Sequence, residues 1–263
     1  MFNIDKYAYS SKLRFQNPME KLFCALLTLG VSVWADSIYI SLLILCIMSW
    51  LTIKKGGTSP KIFLRLLLIP ISFLIIGMIP IAFSISKDAN RMVYSFSVFQ
   101  SYIGISKIGA MQAIKIFFRS LGAISCLYYL SINTPMIDLL SALKRLGCPR
   151  FLVELMGLTY RFIFIIFEIS NTMFIAQSSR LGYSNLKNGF RSMGALVSTM
   201  FIRSYKHAED LYTALEARGY NGELNVLEGP YLSSFGGYII PMVFNLLLIM
   251  ATLRLREFGG GVL

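Results

Sequence analysis

The sequence predicts an all-α integral membrane protein. It should have about five transmembrane helices, six if residues 151–177 also cross, plus long amphipathic helices on the cytoplasmic side. Three observations lead there. Of 263 residues, 56% are apolar and only 14% charged. Several apolar runs approach the roughly 20 residues needed to cross a hydrocarbon core about 30 Å thick. Lysine and arginine crowd the ends of those runs, as the positive-inside rule expects of cytoplasmic loops.

Residues 1–131 read as an N-terminal bundle of about four spans. Residues 1–20 are polar and carry Asp5, Lys6, Lys12 and Arg14, so no cleavable signal peptide is expected. The first span covers about 19–35 and the second about 38–53. The tight turn at Asp36-Ser37 makes them antiparallel neighbours. Lys54-Lys55-Gly56-Gly57 ends the second span. Pro60 opens a third that runs to about 85, with bends expected at Pro70 and Pro80. Residues 86–107 read as a mixed loop with Lys87, Asp88 and Arg91. The fourth span covers about 109–131, with Lys115 and Arg119 on one face.

Residues 132–230 read as a cytoplasmic or interfacial region. Thr134 is expected as N-cap, Pro135 as first helical residue and Asp138 in the first turn of a helix that stops near Leu146-Gly147. In 151–177, Glu154, Arg161 and Glu168 recur every seven residues, forming one polar stripe on a helix. Each charge would cost about 2.5–3.5 kcal/mol at mid-bilayer, which favours a buried or interfacial helix over a fifth span. Residues 187–217 are amphipathic, with Phe190, Met193, Val197, Met200, Ser204, Ala208, Leu211 and Leu215 on one stripe. Residues 231–263 return to the membrane through a last apolar run from about Phe235, past Pro241, and end in a loose Gly259-Gly260-Gly261 tail.

Charge sets the orientation. Placing the N-terminus, the 54–65 turn and 133–230 on one side gathers eighteen of the 25 lysines and arginines there, so that side is expected to be cytoplasmic. The formal charge of +12 is distributed as membrane topology demands, and nucleic acid is not an expected partner. Cys24, Cys46, Cys126 and Cys148 show no CxxC pairing, so neither a disulfide nor a zinc framework is expected.

Two helix ends stand out within residues 177–222: Ser178-Ser179-Arg180-Leu181-Gly182-Tyr183 and Glu216-Ala217-Arg218-Gly219-Tyr220. They repeat at an offset of 38, with Arg180 onto Arg218 and Ser179 onto Ala217. An arginine in a last turn followed by glycine is ordinary capping. Two such ends on consecutive long helices also suit a docking device, because a guanidinium beside small residues can enter a groove and meet a carboxylate.

These residues carry a family resemblance. Ile4-Asp5-Lys6-Tyr7-Ala8-Tyr9, Leu13-Arg14, Pro18, Lys21, Thr134-Pro135, Leu146-Gly147, Tyr160-Arg161, Arg203-Ser204, Ala208-Glu209 and Ala217-Arg218-Gly219-Tyr220 with Gly222 resemble the transmembrane (T) component of energy-coupling-factor transporters. The cobalt-uptake branch, CbiQ, is the nearest. The resemblance implies two cytoplasmic coupling helices, each ending in an arginine motif that docks into one of two ABC-type ATPase subunits. It implies a separate substrate-binding membrane (S) subunit, ATP bound by the partners, and no catalytic residue or cofactor in this chain. Membrane lipid is the remaining expected partner, in a prokaryotic plasma membrane. Arg218, between Ala217 and Gly219, matches the second motif. Arg180, between Ser179 and Leu181, departs from the usual Ala-Arg-Gly. No G-x-x-x-x-G-K-[ST] phosphate loop occurs, and His207 is not expected to bind metal. A nickel or vitamin T component is the nearest alternative. An autonomous channel or a membrane enzyme fits less well, since mid-span charges and clustered carboxylates are sparse.

Overall fold

The computed structural model describes residues 4–86, 92–98, 101–220, 231 and 236–258. Its contacts divide the chain into two compact units, Met1–Leu139 with Gly229–Leu263, and Leu140–Glu228.

The first unit is assembled around α5 (Lys107–Asn133). It packs against α1 (Ile4–Ser10), α2 (Pro18–Trp34), α3 (Ile38–Trp50) and α4 (Pro60–Ala82), while α9 (Gly236–Phe258) packs on α2. The helix starts follow elementary rules. Asn17 caps α2 by accepting the Met19 amide at 3.0 Å, with Pro18 at the first helical position, where its missing N–H costs nothing. α3 runs into a π-helical turn, Leu51–Lys55, and α4 remains helical through both Pro70 and Pro80. One apolar core joins Val31, Ile44, Met48, Cys126 and Leu248; a second joins Phe63, Leu66, Leu121 and Ile132.

Four helical segments are long and apolar enough to cross a membrane: Ile38–Lys55, Pro60–Ile81, Gly109–Asn133 and Gly236–Leu255. The 17-residue α2 is shorter, about 26 Å at 1.5 Å per residue, and packs between α5 and α9. Residues 151–177 are not among the candidate spans. The four cysteines are free, with Cys24 and Cys126 buried.

Two expectations are corrected here. The third helix stops at Ala82, and part of the expected loop 86–107 is sheet. β1 (Phe83–Ser86), β2 (Met92–Val98) and β3 (Ser101–Ser106) pair antiparallel in the order β1-β3-β2. Phe83 lies opposite Ile105, and Val98 opposite Ser101. Strand pairing satisfies the backbone of a segment between two spans that a bare loop would leave open. Lys87, Asp88 and Arg91 lie outside the described residues, as do Gly222, Phe235 and the Gly259-Gly260-Gly261 tail.

The second correction concerns Thr134. α6 (Met136–Arg145) begins one residue later than expected, with the Pro135 carbonyl accepting the Leu139 amide at 3.1 Å. The Thr134 hydroxyl is buried and makes no capping bond. Asp138 in the first turn accepts from the Tyr231 hydroxyl at 2.9 Å.

A polar node closes one end of the first unit. The Ser11 hydroxyl meets Asn133 Oδ1 at 2.8 Å and the Gly56 carbonyl at 3.2 Å. Lys21, only 2% exposed, donates from Nζ to the Leu13 and Asn133 carbonyls at 3.1 and 2.9 Å. The Asn133 carbonyl belongs to the C-terminal end of α5, where a cation complements the helix dipole. A side chain at Gly56 would collide with Asn133 Oδ1 and the Thr52 carbonyl, so only glycine lets these segments meet. Elsewhere in the unit, Arg119 donates to the Val33 carbonyl and sits 3.8 Å from Asp36, tying α5 to the α2–α3 turn.

Candidate docking site

The second unit contains α7 (Arg150–Ser179) and α8 (Leu186–Ala217), which pack together. The short connection from Arg180 to Asn185 forces them antiparallel. Gln177 Nε2 donates to the Ser192 carbonyl at 3.0 Å, and fifteen residues further out the rings of Phe162 and His207 lie 6.4 Å apart. Both pairs keep the same register. A clasp fixes the turn: the Tyr183 hydroxyl donates to Gln177 Oε1 at 2.8 Å, and the Ser192 hydroxyl to the Gly182 carbonyl at 2.8 Å. The Tyr183 ring packs on Phe174 at 4.9 Å.

The two arginine ends have one backbone geometry. At the first, Leu181 N–H reaches the Ser178 carbonyl at 3.1 Å and Gly182 N–H the Gln177 carbonyl at 2.8 Å. At the second, Gly219 N–H reaches the Glu216 carbonyl at 2.9 Å and Tyr220 N–H the Leu215 carbonyl at 3.0 Å. Both are Schellman caps, each with its arginine as the C-cap residue. The cap alone is not distinctive. α6 ends the same way, with Gly147 at φ 89° and Cys148 N–H on the Leu143 carbonyl at 3.2 Å, but there the C-cap residue is Leu146. What sets the other two apart is an exposed guanidinium at the cap, and neither Arg180 nor Arg218 is paired among the described residues.

The caps place the remaining candidates too. Ser179, Leu181, Ala217 and Gly219 are all exposed beside their arginines. Leu181 takes the left-handed conformation, φ 59°, that Gly219 takes at φ 72°. Near the second tip, a hydrogen bond to Glu216 raises the Tyr212 phenol above its usual value. Because Arg180 precedes α8 and Arg218 ends it, the two tips are separated by 32 helical residues, about 48 Å.

The polar stripe of α7 stays out of any core. Glu154 is half-buried and Arg161 and Glu168 are exposed, on a helix with no fully buried residue. No group of three or more His, Cys, Asp or Glu side chains is gathered among the described residues. Sequence reasoning did not foresee the roles of Gln177 and Ser192. Their clasp joins residues 15 apart across a turn, and no periodicity marks it.

Comparison with known proteins adds the decisive observation: a family model described as cobalt transport protein, CbiQ, matches residues 9–227. The chain belongs to the CbiQ family. The CbiQ cobalt transport protein of Salmonella typhimurium is 34% identical over 229 residues, covering 86% of this chain and all of that one. An uncharacterized protein of Methanocaldococcus jannaschii is 33% identical over 97% of this chain and 94% of its own length. The energy-coupling factor transporter transmembrane protein EcfT of Staphylococcus aureus is 27% identical over 61% of this chain and 66% of its own. This CbiQ-family chain is therefore a membrane transport component with helices suited to crossing the bilayer.

Proposed function

We propose that this chain is the transmembrane coupling subunit of an ATP-driven importer of the energy-coupling-factor type, with cobalt ions as cargo. In this reading Arg180 and Arg218 each seat in a groove of one ABC-type ATPase subunit. When the two ATPases close on ATP, α7 and α8 carry that motion to a separate substrate-binding membrane subunit. The chain itself has no catalytic step to perform.

The observation that carries the reading is the pair of matched caps, each offering an exposed guanidinium, at opposite ends of a helix about 48 Å long. Tips that far apart suit two separate partner subunits. The clasp at Gln177, Gly182 and Ser192 makes the first tip rigid with α8, so force applied there would be transmitted rather than absorbed. The cytoplasmic side is taken as the end of the first unit where the N-terminal segment, the 54–60 turn and the α5–α6 junction meet through Ser11, Gly56 and Asn133.

Reversing the charge at both tips, Arg180→Glu with Arg218→Glu, should abolish co-purification with the ATPase subunits while membrane insertion is unchanged. Co-purification at the wild-type level would refute the docking role.

A further inference from the structure

The side of α8 turned away from α7 changes sign from one end to the other. Ser192 and His207 meet α7, and Leu196, the one buried residue of the helix, lies between them on that same side. At about 100° per residue, Lys187, Arg191, Glu209 and Glu216 fall within about 40° of one another on the opposite side. All four are exposed, and none is in an ion pair among the described residues. Tyr205 and Tyr212, on the same line, are 71% and 59% exposed, so the seam is open along its length.

The two cations stand at the Arg180 end of the seam and the two acids at the Arg218 end. Between Glu168 and Glu209 the sequence has no acid, so nothing local offsets Arg180, Lys187 and Arg191. At the other end the Tyr212 hydroxyl is hydrogen-bonded to Glu216, which holds that carboxylate on the seam. The register of the two helices brings the start of α7 beside this end, but Arg150 and Glu154 add one charge of each sign. Lys206 and Asp210, one turn apart and off the seam, also offset each other. Lys187 and Glu216 are about 44 Å apart along the helix, several times the Debye length of about 8 Å at physiological salt. Each tip therefore presents its own charge to whatever meets it. Two caps with one backbone geometry carry opposite surroundings.

We infer that the seam makes the tips unequal in the partner surface they accept. Lys187 and Arg191 meet carboxylates on the rim of the groove that takes Arg180, and Glu209 and Glu216 meet cations on the rim of the groove that takes Arg218. Rim charges of this kind act through the rate of encounter and reject a partner surface of the same sign. This rests on the docking role proposed above and adds which ATPase surface suits which tip.

The test uses the full chain in phosphatidylcholine nanodiscs, immobilised, with the ATPase subunits supplied in solution without nucleotide. Arg218→Glu leaves only the first tip to bind, and Arg180→Glu only the second. Adding Lys187→Glu with Arg191→Glu should slow association at the first tip by at least about fivefold at low salt and change the second by less than about twofold. Glu209→Lys with Glu216→Lys should do the reverse. Each pair thus serves as the other's control for folding. Raising sodium chloride from about 50 mM to about 500 mM should shrink both effects, because exposed charges are screened. Equal sensitivity of the two tips to either pair would overturn the inference, as would a fivefold effect that survives high salt. A different result, undiminished capture by the chain carrying both Arg180→Glu and Arg218→Glu, would overturn the docking role itself.

Discussion

Leu181 and Gly219 occupy the same backbone position, the left-handed residue just past an arginine C-cap, at φ 59° and φ 72°. For an L residue with a Cβ that conformation costs roughly 1–2 kcal/mol, a cost glycine does not bear. The first tip therefore keeps the shape of the second against local preference. The clasp through Gln177, Tyr183 and Ser192 holds it there.

It follows that substitutions at Leu181 should rank by tolerance of positive φ. Leu181→Gly should leave thermal stability in detergent unchanged or raise it by up to about 1 kcal/mol. Leu181→Val, β-branched and poorly suited to this region, should lower it by about 1–2 kcal/mol. If the valine variant were the more stable, the cap would not have the conformation described.

Gly182 answers to space rather than to φ. A Cβ there would lie 2.7 Å from Ser192 Oγ and 2.8 Å from the Gln177 carbonyl oxygen. Gly182→Ala should therefore cost about 1–3 kcal/mol, as overpacking does, and loosen the α7–α8 turn. Adding Ser192→Ala should recover only part of the loss, because the carbonyl remains in the way. Limited proteolysis between residues 180 and 186 would report the loosening; a turn as resistant as wild type would count against the close approach.

The apolar runs made the spans legible in the sequence, since bilayer thickness fixes their length. Capping made the end at Arg218 legible, because Gly219 advertises a left-handed residue. The end at Arg180 was harder: the glycine follows one position late, and nothing local announces a left-handed Leu181. The small sheet was readable in principle. Phe83, Ser84, Ile85 and Ser86 alternate apolar and polar, as do Tyr94, Ser95, Phe96, Ser97 and Val98, and period two signals strand. The node at Ser11, Lys21, Gly56 and Asn133 was not readable, because its partners lie up to 122 residues apart and only tertiary packing joins them.

That node makes its own prediction. Lys21→Met keeps side-chain length but strips the buried Asn133 carbonyl of its donor and leaves the Leu13 carbonyl with the Gln16 amide alone, at 3.1 Å. An orphaned acceptor costs about 1–3 kcal/mol, so a loss of about 1–3 kcal/mol is expected. Lys21→Arg, which keeps a cation but not its compact shape, should recover only part of this. Detergent-solubilised melting curves would check both. A methionine variant as stable as wild type would show that the amine contributes nothing net.

The spacing of the tips separates a two-partner arrangement from a shared one. Arg180 and Arg218 stand about 48 Å apart along α8, too far for one small groove to take both. On the proposed docking role, each should seat its own ATPase subunit. An Arg→Glu change within a buried pair costs at least the 3–5 kcal/mol of losing a partner, more than a hundredfold in affinity. Without nucleotide, either single variant should retain one ATPase per chain and the double variant none. Native mass spectrometry of the detergent-extracted assembly would count them. Loss of both ATPases from a single variant would mean that the tips act on one site and not two.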